Sequence, residues 1–186
     1  ATFQENFDVN LDYYMLTNFA GFQNIVDTLG GVNVYAASTL TDVCALPQAV
    51  NKQCTIPAGW NTMNGATALW YVRSRSSSSD FDRLRRAQEV IKAVFTKMMS
   101  LDAVGRSAEL YDLFISSVET DISLDTIAKL LPLAVKVASD TSLVEGYAIG
   151  ADETSDYVVP SNGNMVLLPD WDLIQRIILN AFYSSD

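Results

Sequence analysis

The spacing of apolar residues changes several times along the chain, and each change marks an element. Leu11 to Phe19 is β-rich and predicts a strand. Phe22, Ile25, Val26 and Leu29 then recur at helical spacing, and Gly30-Gly31 stops that helix before a second strand at Val32 to Tyr35. Strand, helix, strand in succession predicts a crossover and a largely parallel sheet, as in an α/β fold. From Ser38 to Thr62 the pattern is loop-like. Asn64 can cap a helix through Ala68, Leu69 and Val72, and a serine loop occupies Ser76 to Ser79. A long helix is predicted over Phe81 to Ser100, with Leu84, Ala87, Ile91, Val94 and Met98 on its apolar face. Helices follow at Ala103 to Val118 and at Leu124 to about Ser139, the latter capped by Ser123 and interrupted by Pro132. Strands are predicted at Leu143 to Ile149 and Met165 to Leu168. Asp170 caps a closing helix through Trp171, Ile174, Ile178 and Phe182. No repeat or interdomain linker interrupts the 186 residues, so one domain is expected.

Composition narrows the chemistry. The chain is 49% hydrophobic and 18% charged, sufficient for a packed core and unlike a disordered segment. It contains no His, which removes Ser-His-Asp and Cys-His catalysis, imidazole bases and His-ligated metal sites. No stretch reads as a transmembrane span or signal peptide, and the chain starts at Ala1 without an initiator Met, as a processed or shortened protein would. Cys44 and Cys54 lie ten apart in a segment with Pro47, Pro57 and Gly59. They are either two unrelated thiols or a disulfide pinning a surface loop. The disulfide is the favoured reading, because two cysteines without metal partners have few other joint uses, and it places the protein outside the cytoplasm.

The net charge of −10 is unevenly distributed. Between Tyr71 and Arg106 stand eight basic residues (Arg73, Arg75, Arg83, Arg85, Arg86, Lys92, Lys97 and Arg106) against Asp80, Asp82, Glu89 and Asp102. A basic focus in an acidic protein suits one specific anion; the acidic remainder argues against nucleic acid as partner. Arg73 and Arg75 fall at the end of one predicted helix, Asp80 at the N-cap of the next, and Arg83 and Arg86 in that helix's first turns. Guanidinium forks bind phosphate oxygens bidentately, and a helix N-terminus adds free N–H groups. A plainer reading has Arg73 and Arg75 complementing a helix dipole, Asp80 as a cap, Asp82 paired with Arg86, and Arg85 solvated.

Several runs resemble the LytR-CpsA-Psr family of bacterial envelope phosphotransferases. They are Asn18-Phe19-Ala20-Gly21-Phe22, Ile25 to Val32, Asn64-Gly65 with Ala68 to Arg75, and Asp80 to Gln88. In order and spacing they match the C-terminal half of that family's catalytic domain, over about Phe7 to Ile91. The resemblance implies an α/β fold of three layers, α-β-α, with a mixed, partly parallel central sheet, and transfer of a glycopolymer from a polyprenyl diphosphate carrier to a peptidoglycan hydroxyl. It implies an extracytoplasmic protein of the cell envelope, held at the membrane by an N-terminal anchor. The family's diphosphate-binding arginines map onto Arg73, Arg75, Arg83 and Arg86, with Asp80 as a nearby carboxylate. It also implies Mg²⁺ or another divalent ion, whose ligands belong to the N-terminal half that this chain lacks. One departure stands within the motif. Where the family has two adjacent glutamines, this chain has Ala87 and Gln88, and Gln88 is the remaining amide for substrate contact. A non-catalytic module that binds polyprenyl phosphate or glycan is the alternative reading.

Overall fold

The computed structural model describes residues 2–75, 79–98, 107–140 and 143–183. The chain divides into two compact units. One is Ala1–Asp12 with Ser142–Asp186, and the other is Tyr13–Thr141.

The larger unit carries the arginine cluster. It starts with strand β1 (Met15–Thr17), helix α2 (Phe19–Thr28) and strand β2 (Val32–Ala36), numbered after a short helix α1 (Thr2–Phe7) in the other unit. Asn18 caps α2 by accepting from the Gly21 N–H at 2.8 Å. The helix ends where Gly30 and Gly31 take positive φ of 75° and 88°, a backbone that side chains resist. Gly31 N–H returns to the Val26 carbonyl at 2.9 Å, closing the last turn. The strand-helix-strand order is therefore as expected. The two strands nevertheless find different partners: β2 pairs antiparallel with β5 (Gly59–Met63), and β1 pairs antiparallel with β6 (Val118–Thr120). All strand pairs among the described residues are antiparallel.

The Cys-bearing stretch is not the loop its sequence predicts. It holds β3 (Leu40–Val43) and β4 (Gln53–Ile56), an antiparallel hairpin in which Asp42 stands opposite Cys54. Leu40, Asp42 and Cys54 are buried along this run, so its inward positions keep the strand period although prolines and polar residues mask it. Cys44 and Cys54 form a disulfide across the hairpin base.

Helix α3 (Gly65–Arg73) starts at Asn64, whose side chain accepts from Thr67 N–H at 2.9 Å. Asp27, at the end of α2, accepts from Gly65 N–H at 2.7 Å. A Cβ at Gly65 would stand 2.4 Å from the Gln23 carbonyl oxygen, so α2 and α3 cross backbone to backbone. Helix α4 (Asp80–Met98) packs over β2 through Val90, which is 1% exposed, with Ala93 and Val94. The apolar face expected there is rotated. Leu84 and Ile91 are exposed, whereas Arg86 and Val90 point inward. The core joins Val26, Val32, Val34, Ala36, Leu40, Met63, Ala68, Tyr71 and Val90. Helix α5 (Ser107–Ser117) approaches α2 at Gly21, where a Cβ would lie 2.7 Å from the Ser117 carbonyl oxygen. Helix α6 (Leu124–Ser139) is capped by Ser123 and contains Pro132, as expected. The serines at 76–78 and the residues at 99–106, Arg106 included, lie outside the described residues.

The smaller unit holds α1, a hairpin of β7 (Thr154–Val158) and β8 (Met165–Pro169), and α7 (Trp171–Tyr183). Asp170 caps α7 as predicted, accepting from the Asp172 and Leu173 N–H groups at 3.1 Å. The expected strand at Leu143 to Ile149 does not form, and the hairpin pairs β8 with β7 instead.

Candidate functional site

Helix α3 breaks at Ser74, whose ψ of 136° turns the chain away from the helix axis. Arg75 leaves that corner with an exposed side chain. Its Nη2 reaches Asp80 Oδ1 at 3.2 Å, and Arg83 Nη1 reaches the same oxygen at 3.2 Å. One carboxylate in the first turn of α4 thus gathers two guanidinium groups from either side of the α3–α4 turn. All three side chains are between 39% and 67% exposed, which leaves their outer faces open to an anion.

The expected cap is displaced by one residue. Ser79, not Asp80, caps α4: its hydroxyl accepts from Asp82 N–H at 3.1 Å, and Asp82 Oδ2 accepts from the Ser79 N–H and hydroxyl at 3.1 and 2.9 Å. Those Ser79 bonds hold the Asp82 carboxyl below its ordinary range. Asp80 is thereby freed from capping and faces the arginines.

The other predicted residues divide. Arg73, in the last turn of α3, places its guanidinium carbon 4.2 Å from the Phe19 ring centroid, a cation–π contact on the surface. Arg86 is only 2% exposed. It donates through Nη2 to the Ser74 carbonyl at 2.5 Å and sits 5.8 Å from the Tyr71 ring. Burial lowers the pKa of its guanidinium from the ordinary value. It stands behind the corner and not beside Arg75 and Arg83. Gln88 is exposed and Ala87 half-buried. Arg85 is not simply solvated: it pairs with Glu89, with Asp82 at 3.5 Å, and bonds Ser38 at 3.3 Å. Asp82 therefore pairs with Arg85, not with Arg86. Glu89 also accepts from the Tyr71 hydroxyl at 2.7 Å, which with burial raises the Tyr71 pKa.

Sequence reading missed two residues at this corner. Asp42, 6% exposed on β3, accepts from the Ser74 hydroxyl and from Arg75 N–H, the latter at 3.0 Å. Ser74 itself is 6% exposed. No sequence signal marked Asp42: Leu40-Thr41-Asp42-Val43 reads apolar, polar, polar, apolar, whereas the strand buries Leu40 and Asp42 and exposes Val43.

Asp80 Oδ1 is already shared by two guanidinium groups, and among the described residues no cluster of three or more His, Cys, Asp or Glu could hold a metal. No helix among the described residues is long and apolar enough to cross a membrane.

The arginine–carboxylate corner of Arg75, Asp80 and Arg83 thus stands on an α/β frame. The LytR_cpsA_psr family model matches residues 1–168, and the chain belongs to that family. It is 29% identical over 147 residues to the polyisoprenyl-teichoic acid–peptidoglycan teichoic acid transferase TagT of Bacillus subtilis, covering 78% of this chain and 45% of that protein. It is 30% identical over 139 residues to the biofilm regulatory protein A of Streptococcus mutans, covering 70% of this chain and 33% of that protein. The chain therefore spans less than half the length of these two relatives. The crystal structure of B. subtilis TagV shares the fold, with a TM-score of 0.75 at 19% identity over 100% of this chain and 69% of that one.

Proposed function

We propose that the chain forms part of a cell-envelope transferase that moves a glycopolymer from a polyprenyl diphosphate to a hydroxyl of peptidoglycan. Family membership supports the class, and the relative TagT carries the name of a transferase joining teichoic acid to peptidoglycan. The observation that carries the site is the convergence of Arg75 and Arg83 on Asp80 at the start of α4. In this reading both guanidinium groups swing their outer N–H donors onto the diphosphate, neutralising charge that builds on the leaving phosphate. Asp80 keeps the two cations at one place despite their mutual repulsion. Arg73, steadied on Phe19, supplies a third cation at the rim. Arg86 acts from behind, through Ser74, in place of the direct contact its motif position implies.

The finer expectations extend the same reading. The match runs through both compact units, so they are taken as parts of one family domain, with three α-β-α layers and a partly parallel sheet in the complete form. The divalent ion of the family takes its ligands from residues beyond this segment. The disulfide suits an oxidising, extracytoplasmic location, and a membrane anchor elsewhere in the protein would bring the site to its lipid substrate.

The test is release of polyprenyl phosphate from a diphosphate-linked glycan by the intact protein. Arg75→Ala and Arg83→Ala should each cut turnover by about 10²- to 10³-fold, the range for removing one transition-state donor. Unchanged turnover in both rejects the roles. A second reading, binding without turnover, is favoured by half-buried Ala87 in a position where the family has Gln. Lipid carried by a protein that shows no transfer would select it.

A further inference from the structure

The corner that launches Arg75 is held from two sides, and one of the holding groups is a buried carboxylate. Helix α3 gives up its last regular bond at Ser74, where Ser74 N–H reaches the Trp70 carbonyl at 2.9 Å. The next N–H, that of Arg75, goes to Asp42 Oδ2 at 3.0 Å, and the Ser74 hydroxyl goes to the same oxygen. Asp42 Oδ1 accepts from Val43 N–H at 2.6 Å, which fixes the carboxylate plane on its own strand. Arg86 meanwhile grips the Ser74 carbonyl. A buried carboxyl group is costly unless its oxygens are hydrogen-bonded, and both of those of Asp42 are. The hairpin that carries Asp42 is anchored on α3 by two further bonds. Trp70 Nε1 donates to the Val43 carbonyl at 2.9 Å, and Gln48 donates to the Thr67 hydroxyl at 3.0 Å.

We infer that Asp42 is a positioning residue for the anion site: by holding Ser74 and the Arg75 N–H it sets where the Arg75 guanidinium meets Asp80 and a bound diphosphate. The inference rests on the proposed role of the arginine cluster and adds a residue from a separate hairpin to it. Asp42 acts through backbone placement. It is buried behind the corner, 6% exposed. Its effect is therefore confined to Arg75, since Arg83 is placed by α4.

The experiment is calorimetric titration of the 186-residue chain with inorganic pyrophosphate. Wild type should bind, and Arg75→Ala should weaken binding. Asp42→Ala should weaken it roughly tenfold, within the range for a sub-ångström to ångström misplacement. Asp42→Asn, which keeps an acceptor oxygen, should recover part of the loss. The decisive readout is the cycle: in the Arg75→Ala background, Asp42→Ala should cost nothing further, while in the Arg83→Ala background it should cost its full amount. Equal losses in both backgrounds overturn the inference, because a general loss of structure would not single out Arg75. Undiminished affinity in Asp42→Ala also overturns it, with the arginine site intact. If wild type does not bind, or Arg75→Ala binds as wild type does, the proposed function fails and the inference with it. Should Asp42→Ala not fold, Ser74→Ala decides in its place: a loss confined to chains that retain Arg75 supports the inference, and no loss rejects it.

Discussion

Single residues at this site act by the room and the bonds they leave to others. Asp80 is useful because Ser79 relieves it of capping, and Arg86 is useful because it is buried. Gly65 shows the same logic in the backbone. It lets the start of α3 lie against the end of α2, with its N–H on Asp27 and no space for a side chain. Gly65→Ala should therefore cost about 1–3 kcal/mol, the range for forcing extra atoms into a packed contact, seen as a lower urea midpoint at unchanged slope. A helix interior without such a contact would gain from the same change. The sign of the effect thus reports the close crossing and not helix propensity.

At the scale of elements, α4 is held at its start by a reciprocal pair, and the pair is pH-dependent. Ser79→Ala should cost about 1 kcal/mol near neutrality, measured by chemical unfolding. The Asp82 carboxyl lies below its ordinary value in the folded chain because the Ser79 hydroxyl and N–H bond its ionised form. Its contribution is present above the unfolded value, about 4, and is lost as pH falls through the lower folded value. The gap between wild type and Ser79→Ala should accordingly be widest above about pH 4 and close at more acid pH. Most helices were legible from such local signals: Asn64, Ser123 and Asp170 cap where expected, and Gly30-Gly31 stops α2. What was not legible depends on pairing at a distance. The β3–β4 hairpin reads as a loop because Pro47 and Pro57 flank its strands and an inward Asp42 beside an outward Val43 hides its period. The face of α4 was misjudged because hydrophobicity cannot announce a buried arginine such as Arg86. The partners of β1 and β2 were out of reach for the same reason, since period sets a strand but not its neighbour.

For the molecule as a whole, the proposed anion site stands against the contrast between an acidic chain and its basic corner. The net charge is −10, while Arg75 and Arg83 meet at one surface carboxylate and Arg73 lies exposed against Phe19. A small, dense anion feels mainly the corner, whereas an extended polyanion also meets the acidic remainder. The arginines are exposed, so salt screens them strongly; the Debye length shortens to about 8 Å at 0.15 M. Pyrophosphate affinity should hence fall severalfold between 50 and 200 mM salt, and Arg83→Ala should flatten that dependence by removing one of the interacting charges. Duplex DNA should not be retarded in a gel at physiological salt, although it carries far more phosphate. Retention of DNA with no preference for pyrophosphate would mean that the positive patch works as a diffuse surface. The convergence on Asp80 argues for the opposite, because a diffuse patch gains nothing from spending a carboxylate to hold two arginines at one point.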